Sequence, residues 1–170
     1  EYFRVKKTFP KGMWELVLAD LRKVERSMKM GFGDAEAPLL VSVRSGAKAS
    51  MPGMMDTVLN LGLNERTLQG IIKKTGNARF GYDAYRRFIG MFGSIVLGIK
   101  REKFERRLEN KRAERGVHHD TELDEAALKA VVADFQALVK AETGKPFPQD
   151  PMEQLTLAIK AVFDSWYGAR

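Results

Sequence analysis

The residues best able to do chemistry lie in one short stretch. It runs Val43-Arg44-Ser45-Gly46-Ala47 and continues through Ser50-Met51-Pro52-Gly53-Met54-Met55-Asp56-Thr57. An arginine at the end of a strand presents a fixed guanidinium at the sheet edge, where its fork of donors matches phosphate oxygens. Gly46 and Gly53 let the backbone approach an anion closely and turn N–H groups toward it. Ser45, Ser50 and Thr57 add hydroxyl donors. A helix opened by Asp56 or Thr57 would aim its positive N-terminus at the same place. Lys48, in the middle of the loop, is a weaker candidate. Met54 and Met55 either line an apolar nucleotide pocket or fill core gaps. The chemistry is anion recognition, although a plain glycine-containing connector has the same composition. No Gly-Lys-Ser/Thr ending is present, so this is not a Walker loop.

The elements around this stretch can be read from periodicity. Trp14, Val17, Leu18, Leu21, Val24 and Met28 form one apolar stripe of an amphipathic helix that Gly31 and Gly33 would end. Pro38 then precedes Leu39 to Arg44, the one convincing β-prone run, suited to a largely buried strand. Everything after the loop reads as helical. Asn64 caps a helix that stops near Gly76. Tyr82, Tyr85, Phe88, Ile89, Phe92 and Val96 form an aromatic stripe. A charged helix from Arg101 to Arg115 follows, anchored by Phe104 and Leu108. Leu128 to Val139 carries the next apolar face, and Asp150-Pro151 opens the last helix with a cap and a proline at its first position. The expected fold is mostly α: a helix, one buried strand with its glycine-containing loop, then a bundle of about five helices. A lone strand leaves backbone groups unpaired. That implies a piece of a larger α/β domain, and a first residue, Glu1, that is not methionine points to a processed or excised chain.

Composition narrows the function classes. The chain has 170 residues, 44% of them hydrophobic, which is enough for a real core. It lacks cysteine, so disulfides and thiolate metal sites are excluded. No apolar run reaches the ~18 residues that a membrane span needs. The net charge of +7 divides into +11 before Val117 and −4 from there on. A basic front half implies an anionic partner. The segment from Lys100 to Arg115 holds eight basic residues, but Glu102, Glu105, Glu109 and Glu114 interleave with them. A solvated helix face is therefore favoured over a nucleic-acid patch. Glu102 with Arg106 is an attractive pair at i,i+4, and Glu105 with Glu109 a repulsive one. His118 and His119 are adjacent and diverge on a helix, which favours a turn or cap over a shared metal. The alternative function, a basic helical module binding nucleic acid or a protein, rests on this charge alone.

The string from Leu39 to Arg66, LLVSVRSGAKASMPGMMDTVLNLGLNER, resembles the signature of the pyruvate, phosphate dikinases. The likeness continues through Phe80 to Phe88, His119 to Leu123, Gly144 to Pro148 and Ala161 to Trp166. Related phosphoenolpyruvate synthases share the arginine-serine step but not the SMPGMMDT stretch. The resemblance implies an α+β ATP-grasp-type domain that binds MgATP and passes its β-phosphoryl group to a histidine on a separate swivelling domain. Inorganic phosphate takes the γ-phosphoryl group, and a distant barrel domain delivers the histidine's phosphoryl group to pyruvate. On this resemblance Arg44 contacts the nucleotide phosphates, the loop from Ser50 to Thr57 is the phosphate loop, and Arg87, less so Arg86, is a further phosphate-site arginine. It implies that residues 1–63 belong to the grasp subdomain, 64–150 to an inserted helical subdomain, and 151–170 to a helix returning toward the grasp core. The phosphocarrier histidine and the Mg2+ ligands would lie outside this chain, so the isolated chain is expected to be inactive. The resemblance also implies a homodimeric intact enzyme of the cytoplasm, plastid or glycosome, with the isolated chain monomeric.

Overall fold

The computed structural model describes Tyr2, residues 8–45 and residues 57–165. Six helices dominate these residues, so the mostly helical expectation holds. Helix α1, Met13–Met28, buries only Leu21 fully and stacks Trp14 on Phe9. It ends at Lys29, whose left-handed backbone (φ 53) returns its N–H to Glu25, rather than at Gly31 or Gly33.

Two short strand pairs follow. Strand β1, Gly31–Phe32, runs parallel to β2, Pro38–Leu39. Strand β3, Val41–Val43, pairs antiparallel with β4, Val58–Leu61, through Val41–Leu61 and Val43–Val58, with a register irregularity between them. The expectation of one strand without a partner in the chain is thereby corrected, as is the reading of everything beyond the loop as helical. The segment Val58-Leu59-Asn60-Leu61 is too short to declare a period. Asn60, at φ 60, bends it in a way that periodicity does not show. Helix α2, Glu65–Thr75, starts at Asn64 as expected: its carboxamide accepts from Thr67 N at 2.8 Å, and Thr67 Oγ1 accepts from Asn64 N at 2.9 Å.

Helix α3, Ala78–Ile95, is the central rod. Tyr85, Phe88, Ile89 and Phe92 on its inner face are fully buried, and Phe147 meets Tyr85, Phe88 and Phe92 edge-on. Helix α4, Arg101–Arg115, offers mainly Phe104 to the core, which packs on Phe135 of α5, Glu125–Thr143. Helix α6, Pro151–Ser165, opens with Asp150 Oδ1 accepting from Met152 N at 3.0 Å and packs against β3 and β4. One apolar cluster runs from Leu39, Val58 and Leu61 of the strands through α3 and α5 to Leu155 and Val162 of α6.

The joint between α6 and the strands is polar. Gln154 is fully buried; its Oε1 accepts from Gly62 N at 2.9 Å, and its Nε2 donates to Leu63 O at 3.0 Å and Pro148 O at 2.8 Å. Thus the chain just after β4 is held by residues about ninety positions away.

Candidate functional site

The antiparallel register places Arg44 level with Thr57 across the β3–β4 pair, at the two ends of the candidate loop. Arg44 is exposed and Ser45 half-buried. The Ser45 hydroxyl is itself buried and has no hydrogen-bond partner among the described residues. Thr57 leads into a strand, so the expected helix N-terminus at this position is not formed; helix α2 begins only at Glu65. Gly46, Ser50, Met51, Pro52, Gly53, Met54, Met55 and Asp56, with Lys48, lie outside the described residues.

Thr57 also borders an open cleft of about 1220 Å³. Arg87, Met91 and Ser94 of α3 line it, with Arg101 at the start of α4 and Asp164 near the end of α6. Arg87 therefore shares a cavity with one end of the loop, whereas Arg44 and Ser45 do not line that cavity.

Burial separates the two adjacent arginines. The side chain of Arg86 is 7% exposed and that of Arg87 62%. Arg86 donates from Nε to Asp83 Oδ1 at 2.8 Å and from Nη2 to Asp120 Oδ2 at 2.8 Å. A buried guanidinium so enclosed by two carboxylates is committed to structure. Arg87 makes one ion pair, from Nε to Asp83 Oδ2 at 3.0 Å, and keeps the rest of its fork at the cleft. Asp83 could have been suspected from its i,i+3 and i,i+4 spacing to these arginines. Asp120 could not, because only the fold brings the 118–123 turn to α3.

That turn is tightly held. Arg79 donates to Leu123 O at 2.8 Å and Asp120 O at 2.9 Å. The Glu122 carboxylate accepts from the backbone N–H of His119 at 2.7 Å and of His118 at 3.0 Å. These two bonds, that of His119 foremost, hold its carboxyl below the usual carboxylate range. The histidines thus lie at a 3₁₀ turn, Asp120–Glu122, and among the described residues no three His, Cys, Asp or Glu side chains gather as a metal site.

On α4, carboxylates partner much of the positive charge: Arg101 with Glu105 at 2.7 Å, Lys103 with Glu142 at 2.6 Å and Lys111 with Glu114 at 2.6 Å. The paired groups would each have to leave a carboxylate before contacting a phosphate backbone, whereas Arg106 and Arg107 have no ion-pair partner among the described residues. No helix among the described residues is long and apolar enough to cross a membrane.

Fold and cleft together define a mostly helical domain with two short strand pairs and an open cleft lined by both arginines and carboxylates. Residues 4–170 match the family model described as pyruvate phosphate dikinase, AMP/ATP-binding domain. The chain is 51% identical over all 170 residues to the chloroplastic pyruvate, phosphate dikinase of Flaveria pringlei, covering 18% of that protein. It is 52% identical over 163 residues to the pyruvate, phosphate dikinase of Giardia intestinalis (96% of this chain, 18% of the relative). Against that of Entamoeba histolytica it is 50% identical over 161 residues (95% and 18%). The chain belongs to the pyruvate phosphate dikinase AMP/ATP-binding domain family. It spans about a fifth of the length of these curated relatives.

Proposed function

We propose that this chain supplies part of the ATP phosphate grip of a pyruvate, phosphate dikinase. In the intact enzyme that grip serves phosphorylation of a histidine on another domain. The observation that carries the reading is the convergence of Arg44 and Thr57 at the loop ends, with Thr57 and Arg87 on one cleft. Guanidinium forks and hydroxyl donors suit phosphate oxygens in number and geometry. Phosphoryl transfer asks of the protein mainly positioning and stabilisation of spreading negative charge. In this reading Arg44 holds the nucleotide from the strand pair and Arg87 from α3, while the loop from Ser45 to Thr57 donates from its backbone and hydroxyls. His118 and His119 serve the 3₁₀ turn and are not the acceptor.

The family match supports ATP or AMP as the nucleotide. The described residues gather no cluster of three or more carboxylate or histidine side chains, and on this reading the Mg2+ ligands belong to other parts of the intact enzyme. Residues 64–150 are proposed as a helical insertion and α6 as the return to the grasp core, a division supported by the packing of α6 on β3 and β4. Cytoplasm or plastid would suit such an enzyme.

The test is Arg44→Leu in the full-length protein. Loss of a charged donor to the phosphates is expected to lower kcat/KM for ATP-dependent AMP formation on the order of 100-fold. Phosphoryl exchange between phosphoenolpyruvate and pyruvate should be spared, because it does not use the nucleotide. Equal loss of both half-reactions would sink the assignment.

A further inference from the structure

Behind Arg87 stands a chain of charges that phosphate contact alone does not explain. Asp83 divides its carboxylate: Oδ1 serves Arg86, 2.8 Å from Nε and 2.7 Å from Nη2, and Oδ2 serves Arg87 Nε at 3.0 Å. Arg86 is gripped from its other side by Asp120 Oδ2 at 2.8 Å. The Asp83 side chain is 17% exposed, so it is walled in by the protein. Arg86 and Asp120 also border the cleft, but each is held within the array, whereas Arg87 ends it with an exposed side chain.

We infer that Asp83 is a positioning residue for Arg87, holding the guanidinium by Nε so that its two Nη nitrogens form a ready fork for the nucleotide's phosphates. The inference rests on the phosphate-grip reading above. Among the described residues no hydrogen bond engages those two nitrogens, and the Nε contact restrains the long side chain without occupying them. A free arginine would lose rotamer freedom on binding; a tethered one has lost much of it already. The carboxylate does not act by attracting ATP, since its own charge repels the phosphates. Two carboxylates and two guanidiniums leave the group of Asp83, Asp120, Arg86 and Arg87 with no net charge, so orientation is what the arrangement supplies.

That sign makes the inference testable. Asp83→Asn removes a negative charge and, through Coulomb attraction alone, would improve ATP binding. Positioning demands the opposite, because an amide has one acceptor oxygen for two arginines. In the full-length enzyme Asp83→Asn is expected to lower kcat/KM for ATP-dependent AMP formation about tenfold, and to add almost nothing in the background of Arg87→Ala. Asp120→Asn disturbs the other side of Arg86 and is expected to lower the melting temperature while leaving that kcat/KM near wild type. Should Asp83→Asn fail to fold, Asp83→Glu keeps the charge, displaces the carboxylate by a methylene and is expected to show a smaller loss of the same kind. If Arg87→Ala leaves AMP formation intact, the phosphate-grip reading itself falls. If Arg87→Ala is impaired but the Asp83 variants are wild-type, multiply fully with it, or are matched by Asp120→Asn, the positioning role is overturned and the grip stands.

Discussion

Gln154→Met tests the joint that ties α6 to the strand pair. Methionine keeps the length of the side chain and its apolar volume, so packing changes little. What disappears is one acceptor and one donor group, serving Gly62 N, Leu63 O and Pro148 O at 2.8–3.0 Å in a fully buried site. A buried polar group left without its partner costs about 1–3 kcal/mol. Carbonyls tolerate the loss better than the N–H, so the three together come to about 3–5 kcal/mol, a large part of a usual stability of 5–15 kcal/mol. Gln154→Glu sharpens the argument. Its carboxylate could still accept from Gly62 N, but its other oxygen would face two carbonyls unless protonated. Burial and these acceptors would therefore raise the folded-state pKa. The stability it contributes would be full below the ordinary glutamate range and lost as pH rises through the raised value. Urea denaturation followed by circular dichroism, at pH values from about 4 to 8, measures both variants. A Met variant within about 1 kcal/mol of wild type, or a Glu variant whose difference from wild type ignores pH, would refute the reasoning.

Two further outcomes follow from packing and burial. In Gly70→Ala the new Cβ would run into the backbone carbonyl of Ala35, clashing with its oxygen and lying 2.9 Å from its carbon. The 31–38 segment is pinned by Arg66 donating to Gly33 O at 2.6 Å and by Asp34 Oδ1 accepting from Glu36 N and Ala37 N. Overpacking of about 1–3 kcal/mol should therefore outweigh the ~1 kcal/mol that alanine adds to a helix, and thermal melting should show net loss. Burial pushes the Tyr85 hydroxyl up to about 12, against the partly opposing hydrogen bonds of Gln149 and Gln136. Its folded pKa thus exceeds the unfolded one, so its contribution is intact below about pH 10 and lost as pH rises toward 12, on the order of 2 kcal/mol. Tyr85→Phe should flatten the stability curve over that interval in alkaline denaturation; an unchanged slope would contradict the assignment.

Much of this was legible in the residues. Asn64, and Asp150 before Pro151, announced helix starts, because a cap is a local contract between a side chain and a backbone N–H within three positions. The aromatic stripe of α3 and the Phe104 anchor of α4 followed from the helical period. The Leu39 to Arg66 string carried the family, because so long a contiguous match is specific. Strand β4 was not legible: four residues with a left-handed asparagine carry no period, and its pairing with β3 spans the whole loop. Reading a helix after the loop failed for the same reason.

The site divides in the same way. The residue types for anion binding and the arginine pair at 86 and 87 were set by sequence alone, since donor number and charge belong to each side chain. Which of the two arginines keeps an open fork at the cleft that both border was decided by the fold, because it is Asp120, some thirty-four positions away, that buries Arg86 against Asp83 and leaves Arg87 exposed. The level placement of Arg44 and Thr57, and the hold of Gln154 on the turn after β4, are likewise tertiary facts. Local rules act over a few residues, whereas burial and long-range hydrogen bonds exist only once the chain has closed on itself.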